Sequence, residues 1–228
     1  MTNQISDHQK HLISLIKNRH SVRSFLPNAI PQTVLDNIFN ASLYAPSNCN
    51  TQPWKVCVVS GNACDTLRKK SVNAVAQGDM SLDFPYEGRY EGIYKKRQHN
   101  AAATLYSALG IRREDKEKRN KAFMNNFRFF GAPHVAFLFI PDTFGIREAA
   151  DIGMYSQTLM LSMTAHGIAS CPQTTLGFIS DLVREELNVD DSLKLLFGIS
   201  FGYEDTEQPV NQCRTDRGTL NELVSFYD

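Results

Sequence analysis

The sequence has no excess of charge and no cysteine or histidine pattern typical of a metal site. Lys plus Arg and Asp plus Glu each number 24, so the formal charge of the 228-residue chain is zero. A neutral chain lacks the field that attracts nucleic acids or anionic membranes, and neither is an expected partner. The five cysteines form no CxxC pair and are expected to be reduced thiols. The histidines show no HExxH spacing, so no metal is predicted.

Long apolar stretches and linkers are also missing. The apolar runs are too short to span a bilayer, and the N-terminus, MTNQISDHQKH, lacks the apolar stretch of a signal peptide. We therefore expect a cytoplasmic protein. Because no repeat, low-complexity segment or linker interrupts residues 1–228, we expect one domain.

Hydrophobic periodicity predicts more helices than strands. Helices are expected at 8–19, from Pro31 to Pro46, and at 62–77, 114–128 (its first part), 147–166 and 178–188. Strands are expected at 54–59, 135–140, 168–171 and 195–200, and residues 219–226 are expected to form a short helix or arm. The pattern indicates an α+β or α/β domain with a sheet of about four or five strands.

One long stretch fits none of these elements. Residues 78–100 are broken up by Gly78, Pro85, Gly88 and Gly92 and are rich in tyrosine. Such a stretch is either a packed surface excursion or a lid over a site, and the residues alone leave both open.

The first polar cluster follows the first predicted helix. Arg19, Ser21 and Arg23 alternate, so their side chains would share one face of an extended segment. Two guanidinium groups around a hydroxyl suit a phosphate, because Arg forms bidentate charge-assisted hydrogen bonds. Two solvated arginines after a helix are the alternative. His20 between them could be an acid or base, or a structural residue.

Three further polar clusters follow. Residues 45–54, APSNCNTQPW, form a rigid turn that either binds a planar heterocycle or simply joins a helix to a strand. Residues 167–175, GIASCPQTT, leave a strand at the end where open α/β sheets place ligands. Cys171 could be a nucleophile there, although no activating partner is visible. Residues 214–217, RTDR, read alone as an exposed charged stretch.

In this order, the four clusters resemble the nitroreductase family. The shared patterns are R-x-S-x-R, APS-x-x-N-x-QPW, G-[LI]-x-[ST]-C-P-Q and a terminal R-[ST]-x-R-x-x-L-x-E from Arg214 to Glu222. Residues 126–133, NFRFFGAP, and Asp151-Ile152-Gly153 are also similar to the family. The resemblance covers about residues 12 to 226, and its strength lies in the joint order of the motifs.

The resemblance implies a nitroreductase-like α+β fold with a mostly antiparallel sheet, an intertwined homodimer and FMN sites built from both subunits. It places Arg19, His20, Ser21 and Arg23 at the FMN phosphate and ribityl chain, with Arg214 and Arg217 closing on the phosphate. Pro46, Ser47, Asn48 and Asn50 would come from the other subunit. Pro172, Gln173, Thr174 and Thr175 would lie along the flavin ring.

The same resemblance implies electron transfer from NADH or NADPH to nitroaromatic or quinone-like acceptors by a ping-pong mechanism. The flavin performs the redox step, so no catalytic side chain is assigned. The segment 78–113 is similar to a subgroup of the family and is expected to form a lid over the acceptor. Tyr90, Tyr94, Arg97 and Tyr106 would contact the acceptor, with Arg97 favouring an aromatic acid such as a nitrobenzoate.

Other functions remain open from the sequence. The same scaffold hosts reductive dehalogenases, flavin reductases and an enzyme that fragments its own flavin. A flavin-binding redox sensor or FMN carrier without turnover is the alternative from a different class. A phosphate-binding regulatory module is a third, in which Arg19 and Arg217 would serve another ligand.

Overall fold

A computed structural model describes residues 6–228. The helices are α1 (Asp7–Asn18), α2 (Gln32–Ser42), α3 (Gly61–Gln77), α4 (Gly92–Ala108), α5 (Lys116–Met124), α6 (Ile146–Ala165), α7 (Ser180–Leu187) and α8 (Leu220–Leu223). The strands are β1 (Lys55–Ser60), β2 (His134–Pro141), β3 (Ala169–Gln173) and β4 (Leu193–Gly202). Short 3₁₀ turns occur at Asn48–Asn50, Phe129–Gly131, Thr174–Phe178 and Pro209–Gln212. None of these helices has the length and apolarity needed to cross a membrane.

The four strands form one sheet in the order β1-β2-β4-β3, with every neighbouring pair antiparallel. The predicted mostly antiparallel α+β fold is therefore confirmed. Pro172 lies inside β3, opposite Ile199, although the predicted strand stops at Cys171. A proline is tolerated there because β3 is the edge strand of the sheet and pairs along its length only with β4.

Helices cover both faces of the sheet. Because the central strand β2 is buried on both of these faces, nearly all of its residues are apolar. Alternate residues of this strand point to opposite faces. Ala136, Leu138 and Ile140 belong to the apolar cluster that includes residues of α2 and α6. Val135, Phe137 and Phe139 join the cluster on the other face, with residues of α3 and α7. A strand buried on both faces carries no polar alternation.

The prediction for residues 78–100 is wrong in its second half. Gly92 does not break the chain there but begins α4, a 17-residue helix. This helix has no fully buried residue, so it carries no apolar stripe that would have revealed it in the sequence. The segment 78–91 before it has no regular helix or strand, as expected.

Several apolar side chains are not covered by other parts of residues 6–228. On α1, Leu12, Ile13 and Ile16 are about half exposed. Tyr44 and Tyr227 are 91% and 93% exposed, and both lie outside the two-sided core. Exposed apolar residues at several neighbouring positions are typical of an interaction surface.

Candidate functional site

Two distant parts of the chain meet at a cavity of about 420 Å³, which we call the arginine cavity. One wall is the segment after α1, and the other is the segment before α8. The lining residues are Ile16, Lys17, Arg19, His20, Ser21, Arg23, Cys213, Arg214, Thr215 and Arg217. The structure thus brings together six of the residues that the sequence assigned to a phosphate.

The extended conformation of the first wall explains how its side chains reach the cavity. The backbone N–H of Val22 donates to the carbonyl of Ser170 on β3 at 3.1 Å. The Val22 side chain is buried in the core, whereas Arg19, Ser21 and Arg23 on either side are only half-buried. The alternation predicted from the sequence is therefore present.

A buried asparagine joins the two walls, although no sequence motif singles it out. Asn211 accepts a hydrogen bond from the backbone N–H of Arg23 at 2.8 Å. Its side-chain amide donates to the carbonyls of Ser24 and Asp205 at 2.8 and 2.9 Å. Because Asn211 is fully buried and lies three residues before Arg214, it fixes the position of the C-terminal arginines relative to the first wall.

The cavity carries positive charge without compensation. Among residues 6–228, no carboxylate forms an ion pair with Arg19, Arg23, Arg214 or Arg217. Burial lowers the pKa of Arg19, and the neighbouring charge of Arg217 lowers it further. Like charges held together in this way are stabilised by a polyvalent anion, and a phosphate suits the guanidinium geometry.

Two further side chains bear on the chemistry of the cavity: His20 in its lining and the buried Cys171 close to Arg23 and Arg19. The two ring nitrogens of His20 face acceptors, the carbonyl of Asn18 at 2.8 Å and the carboxylate of Glu204 at 3.2 Å. Burial raises the pKa of the Cys171 thiol to about 11. Since a nucleophilic cysteine needs its thiolate, this pKa argues against the nucleophile alternative.

The turn that contains Pro46, Ser47, Asn48 and Asn50 is rigid and does not line the arginine cavity of its own chain. Cys49, Asn50 and Gln52 have left-handed φ values of 50°, 56° and 49°. Such a conformation is costly for residues other than glycine and persists only where the surroundings enforce it. The Asn48 N–H donates to the carboxylate of buried Asp151 at 3.1 Å, and the Gln52 N–H donates to the hydroxyl of Ser47 at 2.9 Å.

At the end of β3, the four predicted flavin contacts differ in availability. Pro172 and Thr174 are exposed and Thr175 is half-buried. Gln173 is buried, and its side chain is fully engaged by the protein. Its amide donates to the carbonyl and side-chain oxygens of Asn126 at 3.0 and 3.2 Å, and its carbonyl accepts from the hydroxyl of Ser200. Gln173 therefore fixes the shape of this segment from beneath.

The structure does not gather the four predicted acceptor residues into one place. Tyr90 and Tyr94 are 49% and 64% exposed at the start of α4. Arg97 pairs with Glu222 at 3.7 Å and lines a cavity of about 360 Å³ beside Arg217. Tyr106 lines a separate cavity of about 790 Å³ between α4 and α5.

Comparison with known proteins identifies the family of the chain. Residues 16–203 match the sequence model of the nitroreductase family. The chain is 48% identical over 213 residues to nitroreductase NfnB of Mycolicibacterium smegmatis, covering 93% of this chain and 91% of the relative. The chain belongs to the nitroreductase family. This membership accounts for the joint order of the four polar clusters along the sequence.

Two more relatives of the nitroreductase family show the extent of the likeness. The crystal structure of the FMN-dependent nitroreductase NfnB from Mycobacterium smegmatis in complex with NADPH has a TM-score of 0.95 and 46% identity. The match covers 97% of this chain and 100% of that one. A 4-nitrobenzoate reductase of Pseudomonas putida is 31% identical over 93% of this chain and 94% of its own length. The nitroreductase-like fold thus extends over almost the whole chain.

Proposed function

We propose that the chain is an FMN-dependent oxidoreductase that transfers electrons from NADH or NADPH to nitroaromatic or quinone-like acceptors. The observation that carries the proposal is the arginine cavity, with four guanidinium groups and no paired carboxylate among the described residues. The similarity to an FMN-dependent nitroreductase in complex with NADPH supports it.

The residues of the cavity fit the phosphate of FMN. Arg19, Arg23, Arg214 and Arg217 supply the positive charge that a phosphate dianion requires, and the hydroxyl of Ser21 adds a donor. His20, held by Asn18 and Glu204, would lie along the ribityl chain. Pro172, Thr174 and Thr175 offer an exposed edge for the flavin ring, with Gln173 supporting them.

The site needs a second copy of the chain, so we propose a homodimer of single-domain subunits. The turn of residues 46–50 is rigid and exposed but lies outside the arginine cavity of its own subunit. Its Pro46, Ser47, Asn48 and Asn50 would approach the flavin bound to the other subunit. The half-exposed apolar face of α1 and the exposed C-terminal residues Phe226 and Tyr227 provide surface for such an interface.

The protein contributes binding and positioning rather than proton transfer. The arginine cavity and the end of β3 would hold FMN, which would supply the chemistry of hydride acceptance and electron donation. The arginine cavity anchors the phosphate end, and the rigid turn and the end of β3 fix the plane of the ring. We assign no side chain a catalytic proton transfer, because His20 is tied to Glu204 and Asn18.

The segment of residues 78–113 supplies the lid in this proposal. Tyr90 and Tyr94 are exposed and available to an aromatic acceptor. The pair between Arg97 and Glu222 is itself exposed, so water and salt screen it and it contributes little to stability. An acceptor carboxylate can therefore replace Glu222 at little cost, which fits the similarity to a 4-nitrobenzoate reductase.

Initial-rate kinetics test the proposal. Because donor and acceptor would use the same flavin face in turn, double-reciprocal plots of the initial rate against NADH or NADPH, measured at several nitrobenzoate or quinone concentrations, should be parallel. Intersecting plots would mean that both bind together and would contradict the ping-pong mechanism. Tight FMN binding without steady oxidation of either nicotinamide would instead indicate a flavin-binding sensor.

A further inference from the structure

The cavity between α4 and α5, which we call the α4–α5 cavity, lies outside the proposed FMN site. Its volume is about 790 Å³, within the range of small-molecule pockets. The lining residues are His99, Ala102, Ala103, Tyr106, Ser107, Gly110, Ile111, Arg112, Arg113 and Arg119. Three arginines and a histidine therefore surround a floor of alanine, isoleucine and tyrosine, and this lining contains no carboxylate.

One face of α4 and the turn that ends this helix build the floor of the cavity. The lining residues between His99 and Gly110 recur at intervals of three and four, which places them on one side of the helix. Gly110 has a left-handed φ, and the N–H of Ile111 donates to the carbonyl of Tyr106 at 2.8 Å. This turn brings the chain back, so that Ile111 and the arginines after it line the same cavity as Tyr106.

The three arginines are not neutralised by carboxylates. Within the part of the chain that the structure describes, none of Arg112, Arg113 and Arg119 forms an ion pair. The Nε of Arg119 is buried and has no hydrogen-bond acceptor. Because buried donors are nearly always paired, an unpaired one in a cavity wall points to an acceptor that the chain itself does not supply.

The acidic residue between these arginines in sequence is engaged elsewhere. The carboxylate of Asp115 accepts a hydrogen bond from the backbone N–H of Arg112 at 3.2 Å and pairs with Lys118 at 3.6 Å. Asp115 is absent from the cavity lining, so the positive charge of the wall favours an anion from outside the chain.

A different face of α4 serves the phosphate-binding side of the molecule. Arg97 and Thr104 line the cavity beside Arg217, and neither of them lines the α4–α5 cavity. The α4–α5 cavity also shares no lining residue with the arginine cavity. A ligand of the α4–α5 cavity is therefore independent of the flavin, and its site does not rest on the proposed function.

We propose that the α4–α5 cavity binds an aromatic carboxylate and holds it without reducing it. Arginine forms bidentate hydrogen bonds with a carboxylate and also stacks on aromatic faces. The ring of Tyr106 offers a second aromatic surface, and Ile111 adds apolar contact. The volume exceeds what an inorganic anion would fill, so the ligand also has an apolar body. Tyr106, which the resemblance assigns to the acceptor, belongs to this second site instead.

Calorimetric titration of the purified flavoprotein with 2-naphthoate tests the proposal. We expect one site per chain, with a Kd about tenfold or more higher in Arg113→Ala and in Arg119→Ala, because each variant loses a charge-assisted hydrogen bond. Lys121→Ala is the matched control and should bind like wild type, since Lys121 is an exposed cation on α5 outside the cavity. Arg113 is exposed, so its variant keeps the test valid if Arg119→Ala fails to fold.

Two comparison ligands separate the charge from the apolar contact. The amide 2-naphthamide keeps the rings without the charge, and inorganic phosphate carries charge without rings. Both should bind more weakly than 2-naphthoate, and the Kd of the amide should be the same in wild type and in Arg113→Ala. The proposal is overturned if 2-naphthoate does not bind, if its Kd is unchanged in Arg113→Ala, or if phosphate binds as tightly.

The visible spectrum of the flavin shows where 2-naphthoate binds. A ring stacked on the flavin changes the flavin absorbance, whereas a ligand in the α4–α5 cavity should leave it unchanged. A spectral change that accompanies saturation equally in wild type and Arg113→Ala would place the probe at the flavin and contradict the proposal. The titration needs no turnover. A protein that binds 2-naphthoate as expected but oxidises neither NADH nor NADPH would therefore retain this site while the proposed function fails.

Discussion

Replacing Arg217 by alanine should weaken FMN binding through the phosphate alone. The Arg217 side chain is exposed, and its hydrogen bonds in the structure run to its own turn. They reach the carbonyl and hydroxyl of Thr215 at 3.0 and 2.9 Å and the carbonyl of Asp216 at 3.1 Å. Its removal therefore disturbs no packed element, and the variant should fold normally.

The magnitude follows from the charge of the cavity. A hydrogen bond to a charged group contributes about 1.5–3 kcal/mol, and 1.36 kcal/mol corresponds to a factor of ten. The Kd of FMN should rise roughly 10- to 150-fold. Because Arg217 repels Arg19 and lowers its pKa, the apoprotein should be no less stable without Arg217 than with it.

Fluorescence titration of the apoprotein with FMN and with riboflavin measures the effect. Riboflavin lacks the phosphate, so its affinity should be the same in wild type and Arg217→Ala. The variant Arg147→Ala removes an exposed arginine of α6 outside the cavity and should change neither affinity. Unchanged FMN affinity in Arg217→Ala, or an equal loss for riboflavin, would refute the role of this cavity.

Three further predictions concern the acceptor, the core and pH. Arg97→Ala should lower turnover of nitrobenzoate relative to neutral nitrobenzene roughly two- to fivefold, as expected for one exposed charge pair; an unchanged ratio would count against the lid proposal. Gly198→Ala should cost about 1–3 kcal/mol in urea unfolding, because its Cβ would lie 2.6 Å from Leu176 Cδ1. Gly153→Ala, with open space on α6, should be neutral or stabilising, and equal effects would contradict the packing. Burial lowers the pKa of His134, so the folded protein favours the neutral ring. The contribution of His134 to the free energy of unfolding is therefore complete above about pH 6.5, the ordinary pKa of histidine, and is lost as the pH falls below that value. Urea unfolding at several pH values should show a steeper acid loss in wild type than in His134→Gln; identical slopes would refute this.

Much of the fold could be predicted from periodicity, because most elements have a buried face. Helix α6 and strand β2 lie within one or two residues of their predicted bounds, since their apolar patterns report the two-sided core. Helix α4 could not be found in the same way, because it is a polar helix without a buried stripe and begins at a glycine. Pro172 also shortened the predicted β3, since a proline inside a strand is accepted only at a sheet edge.

The residue types of the candidate site could be predicted from the sequence. The buried residues that hold them in position were harder to predict. Arg19 and Arg23 alternate around Ser21 in a pattern that suits a phosphate, whereas Arg217 is assigned to the phosphate only through the family resemblance. The residues that hold these groups in place, Asn211 and Gln173, act through buried hydrogen bonds between segments far apart in sequence. The resemblance predicts Gln173 along the flavin ring, and in the structure its side chain forms hydrogen bonds with Asn126 and Ser200. Only three-dimensional contacts distinguish these roles.

The most direct test of the proposed function is the visible spectrum of the purified protein through one anaerobic cycle. We predict flavin absorbance that is bleached by NADPH or NADH and restored by p-nitrobenzoate, which would establish both half-reactions. A colourless protein that binds no FMN, or a flavin spectrum that neither nicotinamide bleaches, would contradict the assignment.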